Sequence, residues 1–213
     1  GFTLASAEVG ATYHYAVTSS GGEGSVTGNG TVSSATEHVT GIDVSSLPDG
    51  TLTFSVTLTD TSGNVGAAAT ADATLDKTAP ASYTITADDS EILAAEASST
   101  SFTLAGAEVG ATYSYTVSSS GGGTPVTGSG TVASATQQVT GIDVSSLPDG
   151  TLTYTVVLTD PAGNVGAAAV ATTVLDNVPM GYTIAAIDDV VNAAEAPSTG
   201  FAFTGAEVDA TFS

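Results

Sequence analysis

Apolar and polar residues alternate strictly between positions 151 and 159. Leu152, Tyr154, Val156 and Leu158 share one parity, and four threonines and a valine fill the other. A period of two places one set of side chains on the buried face of a strand and the other set towards solvent. The pattern therefore predicts a half-buried β-strand in this stretch.

Similar short strands are predicted on both sides of it, at 83–87, around Phe102 and Leu104, and at 111–117, 139–142 and 165–175. Turns rich in glycine and proline separate them at 121–123, 147–150 and 161–164. The stretch 126–132 is interpreted as a hairpin connection, like its counterpart around Asn29 and Gly30. About seven short strands in about 100 residues predict an all-β fold, an immunoglobulin-like β-sandwich.

The pattern occurs in tandem. Residues 2–77 align without a gap with residues 102–177, and 55 of the 76 positions are identical. The motif at 201–208 begins a third copy. We predict a partial repeat at 1–77 that lacks its first strand, a complete repeat at 78–176 and the start of a third at 177–213. Near-identical tandem copies favour a structural role, because length and stiffness gain from repetition and an active site does not.

The charge of the chain is extreme. There are 22 acidic residues and one basic residue, Lys77, for a formal net charge of −21. Nucleic acids and anionic membrane surfaces are therefore excluded as partners, because both are bound through Lys and Arg. The chain repels itself unless cations neutralise it. Cysteine is absent, so an extracellular domain of this kind needs another stabiliser than disulfides, and a metal is the obvious one.

Most acids fall at predicted strand ends and in loops. Carboxylate and amide oxygens are the ligands that calcium prefers, six to eight at a time, and the alternative is an acidic surface that serves solubility. We predict Ca²⁺ as the cofactor, with these candidate ligands: Asp60, Asn64, Asp76, Asp88, Asp89, Glu91, Glu96, Asp160, Asn164, Asp176, Asp188, Asp189 and Glu195.

The candidate ligands are expected to form two sets. In a sandwich with its termini at opposite ends, the turn of Asp160 and Asn164 lies at the far end from Asp176. The acidic loop 88–96 is expected at that same far end. One set then surrounds the junctions at Asp76 and Asp176, and the other lies inside each domain. The sequence does not decide which acid faces which.

Three motifs carry a family resemblance: 159–164 (Thr-Asp-Pro-Ala-Gly-Asn), the border 75–80 (Leu-Asp-Lys-Thr-Ala-Pro) and 188–195 (Asp-Asp-Val-Val-Asn-Ala-Ala-Glu). In this order, within a period of 100, they resemble the bacterial Ig-like repeats of giant biofilm-associated and RTX-type adhesins. The resemblance covers the whole chain. It implies calcium-stiffened extender domains, exported by type I secretion, that hold a ligand-binding tip away from the cell.

The resemblance also implies particular ligands. The family's acids correspond to Asp89 and Glu96 in the complete copy, and to Asp188, Asp189 and Glu195 in the third. The complete copy departs from the pattern, since Ser90 and Leu93 replace the third copy's Asp189 and Asn192. Asp88 and Glu91 are the acids that would compensate.

The sequence thus predicts an extracellular structural segment of a surface adhesin, whose partners are the neighbouring repeats. The alternative is an Ig-like module that binds a carbohydrate or a protein through its loops. No nucleophile–base pair or cofactor motif indicates an enzyme. We also expect end-to-end self-association, because residues 178–213 supply strands that residues 1–77 lack.

Overall fold

In the computed structural model, which describes residues 1–177, 181–206 and 211, the protein is built of β-strands. The chain divides into two compact units, Gly1–Ala79 and Pro80–Ser213. No helix in the described part of the chain is long and apolar enough to cross a membrane. The predicted third part, 177–213, falls within the second unit, and its boundaries stay a prediction.

The strands follow one another as β1 Phe2–Ala5, β2 Thr12–Ser19, β3 Ser25–Thr31, β4 Thr36–Val39, β5 Gly50–Thr59, β6 Ala69–Leu75, β7 Thr84–Ala87, β8 Glu91–Leu93, β9 Thr100–Ala105, β10 Thr112–Ser119, β11 Gly122–Thr131, β12 Thr136–Ile142, β13 Gly150–Thr159, β14 Ala169–Asp176, β15 Thr183–Ala186 and β16 Phe201–Thr204.

The second unit contains a sandwich of two sheets. One has the order β11-β10-β13-β14-β8 and the other β12-β9-β7. All pairings are antiparallel except that of β8 with β14, which is parallel. The prediction of an all-β, immunoglobulin-like sandwich is confirmed.

One continuous core lies between these two sheets. Leu152, Tyr154, Val156 and Leu158 of β13 are all fully buried, as their alternation predicts. The ring of Phe102 from the opposite sheet packs edge-on against Tyr154, with the ring centroids 6.0 Å apart. Complete burial of each such side chain contributes about 1.5–3 kcal/mol, so this stripe is a main source of stability.

The interpretation of 126–132 as a hairpin connection is wrong. Residues 126–131 belong to β11 and pair with β10, and Asn29 and Gly30 likewise lie inside β3. The glycines of β11 leave room for tyrosine rings of the neighbouring strand. A Cβ on Gly128 would lie 2.4 Å from the ring of Tyr115. Glycine inside a strand often marks the close approach of another group.

The last strand of the repeat begins later than predicted. Val165 makes only an isolated bridge to Thr159, and continuous pairing starts at Ala169. Val165 is exposed, so its apolar side chain gave a false indication of a buried strand position.

The first unit has the same plan with fewer strands. β1 pairs with β4, and β3-β2-β5-β6 form the second sheet. Its buried residues separate into two clusters, one around Leu4 and Val56 and one around Val17 and Leu52. β7 and β8 of the second unit have no counterpart among the strands of residues 1–79.

Residues 181–206 contain a two-stranded antiparallel hairpin of β15 and β16. Its register matches that of β7 with β9: Ile184 lies opposite Phe203, as Ile85 lies opposite Leu104. The end of the motif at 201–208, Glu207 and Val208, lies outside the described residues.

Candidate functional site

An aspartate closes the turn before the last strand of each repeat. Asp60 Oδ1 accepts the backbone N–H groups of Ser62 and Asn64, both at 2.8 Å, and Oδ2 accepts Asn64 Nδ2 at 2.7 Å. Asp160 accepts the backbone N–H and the side-chain amide of Asn164, both at 2.8 Å. A short carboxylate reaches the N–H groups just after it, which is why Asp favours such turns.

These bonds favour the ionised form of both carboxylates. The side-chain amide of Asn64 is the largest cause that lowers the pKa of Asp60. Asp160 is only 5% exposed, and its burial acts to raise its pKa. The hydrogen bonds from Asn164, Gly163 and Ala162 outweigh that burial, so the pKa of Asp160 also lies below its ordinary value.

The expected position of the acidic loop is wrong. After β7 the chain does not turn back; it crosses to the other sheet and continues as β8, parallel to β14. Leu93 is therefore the pairing partner of Asp176, and the loop lies at the end of the unit where β14 finishes. Asp160 and Asn164 lie at the opposite end of β13.

Asp88 ties three strands together at that end. Its carboxylate accepts Ser101 Oγ at 2.5 Å, Thr103 Oγ1 at 2.7 Å and Gln138 Nε2 at 2.8 Å. Partial burial acts to raise the pKa of Asp88. The three hydrogen bonds lower it by more than burial raises it, so the pKa of Asp88 lies below its ordinary value. This side chain therefore connects the end of β7 to β9 and β12 by hydrogen bonds.

Asp89 makes hydrogen bonds to both sheets. Its backbone carbonyl accepts the hydroxyl of Thr173 at 2.6 Å, and its carboxylate accepts Thr100 Oγ1 at 3.4 Å. Between these contacts, Ile92 of β8 enters the core and is completely buried. The acidic loop is thus packed along one side of the sandwich, in contact with both sheets.

Both copies of the acidic loop end in a turn closed by a glutamate. Glu96 accepts the backbone N–H of Leu93 at 3.2 Å, and Glu195 accepts that of Asn192 at 3.0 Å. Leu93 and Asn192 occupy corresponding positions, so the substitution changes the side chain but keeps the turn. Glu91 is exposed on β8.

The chain's single basic residue lies at the C-terminal end of the first repeat. Lys77 Nζ donates to the backbone carbonyls of Ser45 and Leu47 at 2.9 and 2.7 Å. Beside it, Thr78 donates its hydroxyl to Asp49 at 2.6 Å and its backbone N–H to Asp76 at 3.1 Å. The hydroxyl of Thr78 is the largest cause that lowers the pKa of Asp49.

In the second repeat, the corresponding loop is held without a basic side chain. Asn177 stands in place of Lys77; its backbone N–H donates to Asp149 at 2.8 Å and its amide to the carbonyl of Ser145 at 3.4 Å. Asp143 turns the loop by accepting the backbone N–H and hydroxyl of Ser145. Sequence reasoning missed Asp143 and Asp149, although Asp-x-Ser and Pro-Asp-Gly are recognisable turn signals.

The structure does not gather the predicted ligands into one centre. Across residues 1–177, 181–206 and 211, no three Asp, Glu or His side chains form a group that could hold a metal ion. Asp188 and Asp189 lie in the loop after β15, and Asp176 ends β14. Among the described residues, the acids that accept hydrogen bonds serve separate turns and contacts between strands.

No family model matches the chain, and no curated protein matches it. Among solved structures, it is similar to a tetra-tandem repeat in the extending region of a large adhesion protein, at 28% identity and a TM-score of 0.47, over 88% of this chain and 47% of that one. It is also similar to a structure from a 1.5-MDa bacterial ice-binding adhesin, at 23% identity and a TM-score of 0.42, over 94% of this chain and 66% of that one.

A third similar structure contains domains FN1–FN3 of chicken CNTN1, at 13% identity and a TM-score of 0.35, over 78% of this chain and 56% of that one. The chain spans about half the length of the first of these structures. All three TM-scores lie below 0.5, so these likenesses establish neither a family nor a function for the chain.

Proposed function

We propose that the chain is an extender segment of a large bacterial surface adhesin. Its tandem sandwiches hold a distal ligand-binding region away from the cell surface, and their role is mechanical. The proposal is supported by the repetition of one sandwich plan, by the family resemblance of three sequence motifs and by the path of the chain through a repeat.

That path is the observation that carries the proposal. In the second unit, the chain enters at Tyr83, whose hydroxyl accepts the backbone N–H of Leu158 at 3.2 Å and donates to the carbonyl of Ala167. It leaves after Leu175, which lies opposite Gly150 at the other end of β13. The ten residues of β13 span about 30 Å at the rise of a strand. A repeat entered at one end and left at the other adds its length to an array.

The shared strand pairing of the two copies supports the same conclusion. β2 pairs with β5 in the same register as β10 with β13, shifted by 100 positions. The pairing of β2 with β3 likewise matches that of β10 with β11 as far as Val17 and Val117. An array built from one interchangeable unit can be lengthened without the redesign of any part.

We further propose that bound cations, with calcium foremost, stabilise and stiffen the array. The support is electrostatic: 22 acids against one base produce self-repulsion that Lys77 alone does not offset. Hard divalent cations prefer the oxygen donors in which the chain is rich. The ligand set is left open, because the described residues contain no group of three or more acidic or histidine side chains that could hold a metal ion.

The length of the array tests the extender role. Chains with one, two or three additional copies of residues 78–176 inserted in series should show a maximum dimension, from small-angle X-ray scattering, that increases by roughly 30–40 Å per copy. A maximum dimension that does not increase in even steps would contradict the role. A chain lengthened by a flexible Gly/Ser linker of equal residue number is the control, and its dimension should grow only as the square root of length.

A further inference from the structure

Two loops of the chain have the same sequence and the same turn but different partners. Residues 41–50 and 141–150 are identical at every position. In each loop the leucine folds back onto the valine three residues before it, with N–H to carbonyl distances of 3.0 Å at Leu47 and 2.9 Å at Leu147. Both leucine side chains are buried. The backbone carbonyls of the two loops are therefore presented in the same way.

In the first loop, two of these carbonyls hold a cation that belongs to the chain. The Lys77 ammonium, a compact point charge, donates to the carbonyls of Ser45 and Leu47 at 2.9 and 2.7 Å. The Thr78 hydroxyl and the Lys77 backbone N–H do most to lower the pKa of Asp49, and the charge of the ammonium lowers it further. A positive charge is therefore part of this loop.

The second loop keeps these oxygen atoms and changes the donors. The counterparts of the lysine and the threonine are Asn177 and Val178, which supply neither a charge nor a hydroxyl. Among the described residues, the one side-chain donor to the carbonyls of Ser145 and Leu147 is the Asn177 amide, 3.4 Å from the Ser145 oxygen. Good N–H···O hydrogen bonds measure about 2.7–3.2 Å, so this contact is weak. The same oxygen atoms thus receive no charged donor from the described residues.

The oxygen atoms of the second loop are suited to a hard cation. Backbone carbonyls and Asn carbonyls are ligands that calcium accepts, with water completing the coordination. The Asn177 amide can turn to present its oxygen to an ion, which an ammonium cannot do. The independent sign of a cation is the Lys77 ammonium, since the same two carbonyls hold it in an identical loop.

We propose that Lys77 is a built-in cation, which occupies in the first repeat the place of a free cation in the second. The loop 43–49 is then closed by the chain itself, whatever the calcium concentration. The loop 143–149 is closed by a hard cation from solution, with calcium foremost, through the carbonyls of Ser145 and Leu147. This inference rests on the proposed stabilisation of the array by cations, and it assigns the need for a cation to one of two identical loops.

Hydrogen–deuterium exchange measured by mass spectrometry tests the two loops separately in the full chain. The peptides 37–47 and 137–147 differ in mass, because one begins with Glu-His and the other with Gln-Gln. Calcium, in place of sodium chloride of equal ionic strength, should slow exchange in the peptide 137–147 and leave the peptide 37–47 unchanged. At a tenfold excess of calcium over Kd, the slowing should be on the order of tenfold, because binding opposes the local opening.

Exchange of the two side chains should exchange the two responses. Asn177→Lys should make the peptide 137–147 insensitive to calcium, and Lys77→Asn should make the peptide 37–47 sensitive to it. Thr172→Lys, at an exposed position of β14, is the matched control. It changes the net charge as much as Asn177→Lys does and should leave the response of the peptide 137–147 in place. Unchanged exchange in β13 shows that each variant is folded.

The outcomes separate this inference from the role of cations on which it rests. A response of the peptide 137–147 that Asn177→Lys does not reduce would overturn the inference, as would equal responses of the two peptides in the unaltered chain. If calcium slows exchange only in other parts of the chain, the inference fails and the proposed role of cations stands. If calcium slows exchange nowhere beyond the effect of sodium chloride, that role is itself refuted.

Discussion

At the scale of single residues, two glycines in each repeat make room for two tyrosine rings. A Cβ on Gly128 would lie 2.4 Å from Cζ of Tyr115, and a Cβ on Gly130 would lie 2.4 Å from the hydroxyl of Tyr113. The ring of Tyr115 in turn packs edge-on against Phe102, with the ring centroids 5.6 Å apart. A displaced ring would therefore disturb the core.

Gly128→Ala should destabilise the second unit by about 1–3 kcal/mol, the usual cost of overpacking. Chemical denaturation followed by tyrosine fluorescence measures it. Ser129→Ala, on the exposed face of the same strand, is the control and should change the free energy of unfolding by less than about 0.5 kcal/mol. Equal effects of the two substitutions would show that the rings adjust freely.

The turn aspartates give the protein a defined response to acid. The folded pKa of Asp160 is depressed, since its hydrogen bonds outweigh its burial. Its contribution to stability is therefore full above the unfolded pKa of about 3.9 and is lost as the pH falls through the folded value. Asp160→Asn should lower the unfolding temperature at pH 7, and the gap from the unaltered chain should close below about pH 4.

Thermal unfolding monitored by circular dichroism between pH 3 and pH 7 provides the measurement. Glu108→Gln, a substitution at an exposed acid of the same unit, is the control and should show a smaller gap at pH 7. A gap for Asp160→Asn that stays constant over the whole range would mean that the charge of Asp160 is not what stabilises the turn.

At the scale of elements, the three-residue strand β8 closes the core of the second unit. Ile92 is completely buried, and its neighbour Leu93 is 52% exposed. Ile92→Ala should therefore cost about 2–5 kcal/mol, whereas Leu93→Ala should cost less than about 0.5 kcal/mol. Denaturant titration should show the loss in the transition of the second unit alone, and comparable losses for both variants would contradict the burial.

The sequence predicts strands well where one face of the strand is buried and the other face is exposed to solvent. β13 follows its alternation residue by residue, since all four apolar positions lie in the core. β11 was missed because its glycines serve the tyrosine rings of the neighbouring strand, a requirement that a single strand's sequence does not display. The start of β14 was misplaced because Val165 is apolar yet exposed.

The candidate site was predictable only in part. Asp60 with Asn64 and Asp160 with Asn164 do form turns, as their spacing indicates. The acidic loop lies at the other end of the unit from its expected place, because the crossing from one sheet to the other leaves no periodic signal. That carboxylates share a cation, and which of them do, stays a prediction, since it depends on distances between loops.

At the scale of the whole molecule, a net charge of −21 predicts that cations contribute to the stability of the folded state. Calcium should raise the unfolding temperature more than sodium chloride of the same ionic strength, because binding to the folded state adds to screening. At a hundredfold excess over the dissociation constant, the gain is about 2.7 kcal/mol. Differential scanning calorimetry in matched buffers measures it, and equal shifts in the two salts would contradict a specific site.

The parallel pairing of β8 with β14 has a consequence for a molecule under tension. β8 belongs to the entering part of the repeat and β14 to the leaving part, so a pull on the two ends slides these strands past each other along their axes. The three pairings from Val174 with Glu91 to Asp176 with Leu93 are then loaded together, in shear. A peeled hairpin breaks one bond at a time, but a sheared patch must yield all at once. For equal thermal stability, a repeat built in this way resists a pull on its two ends better than a hairpin does.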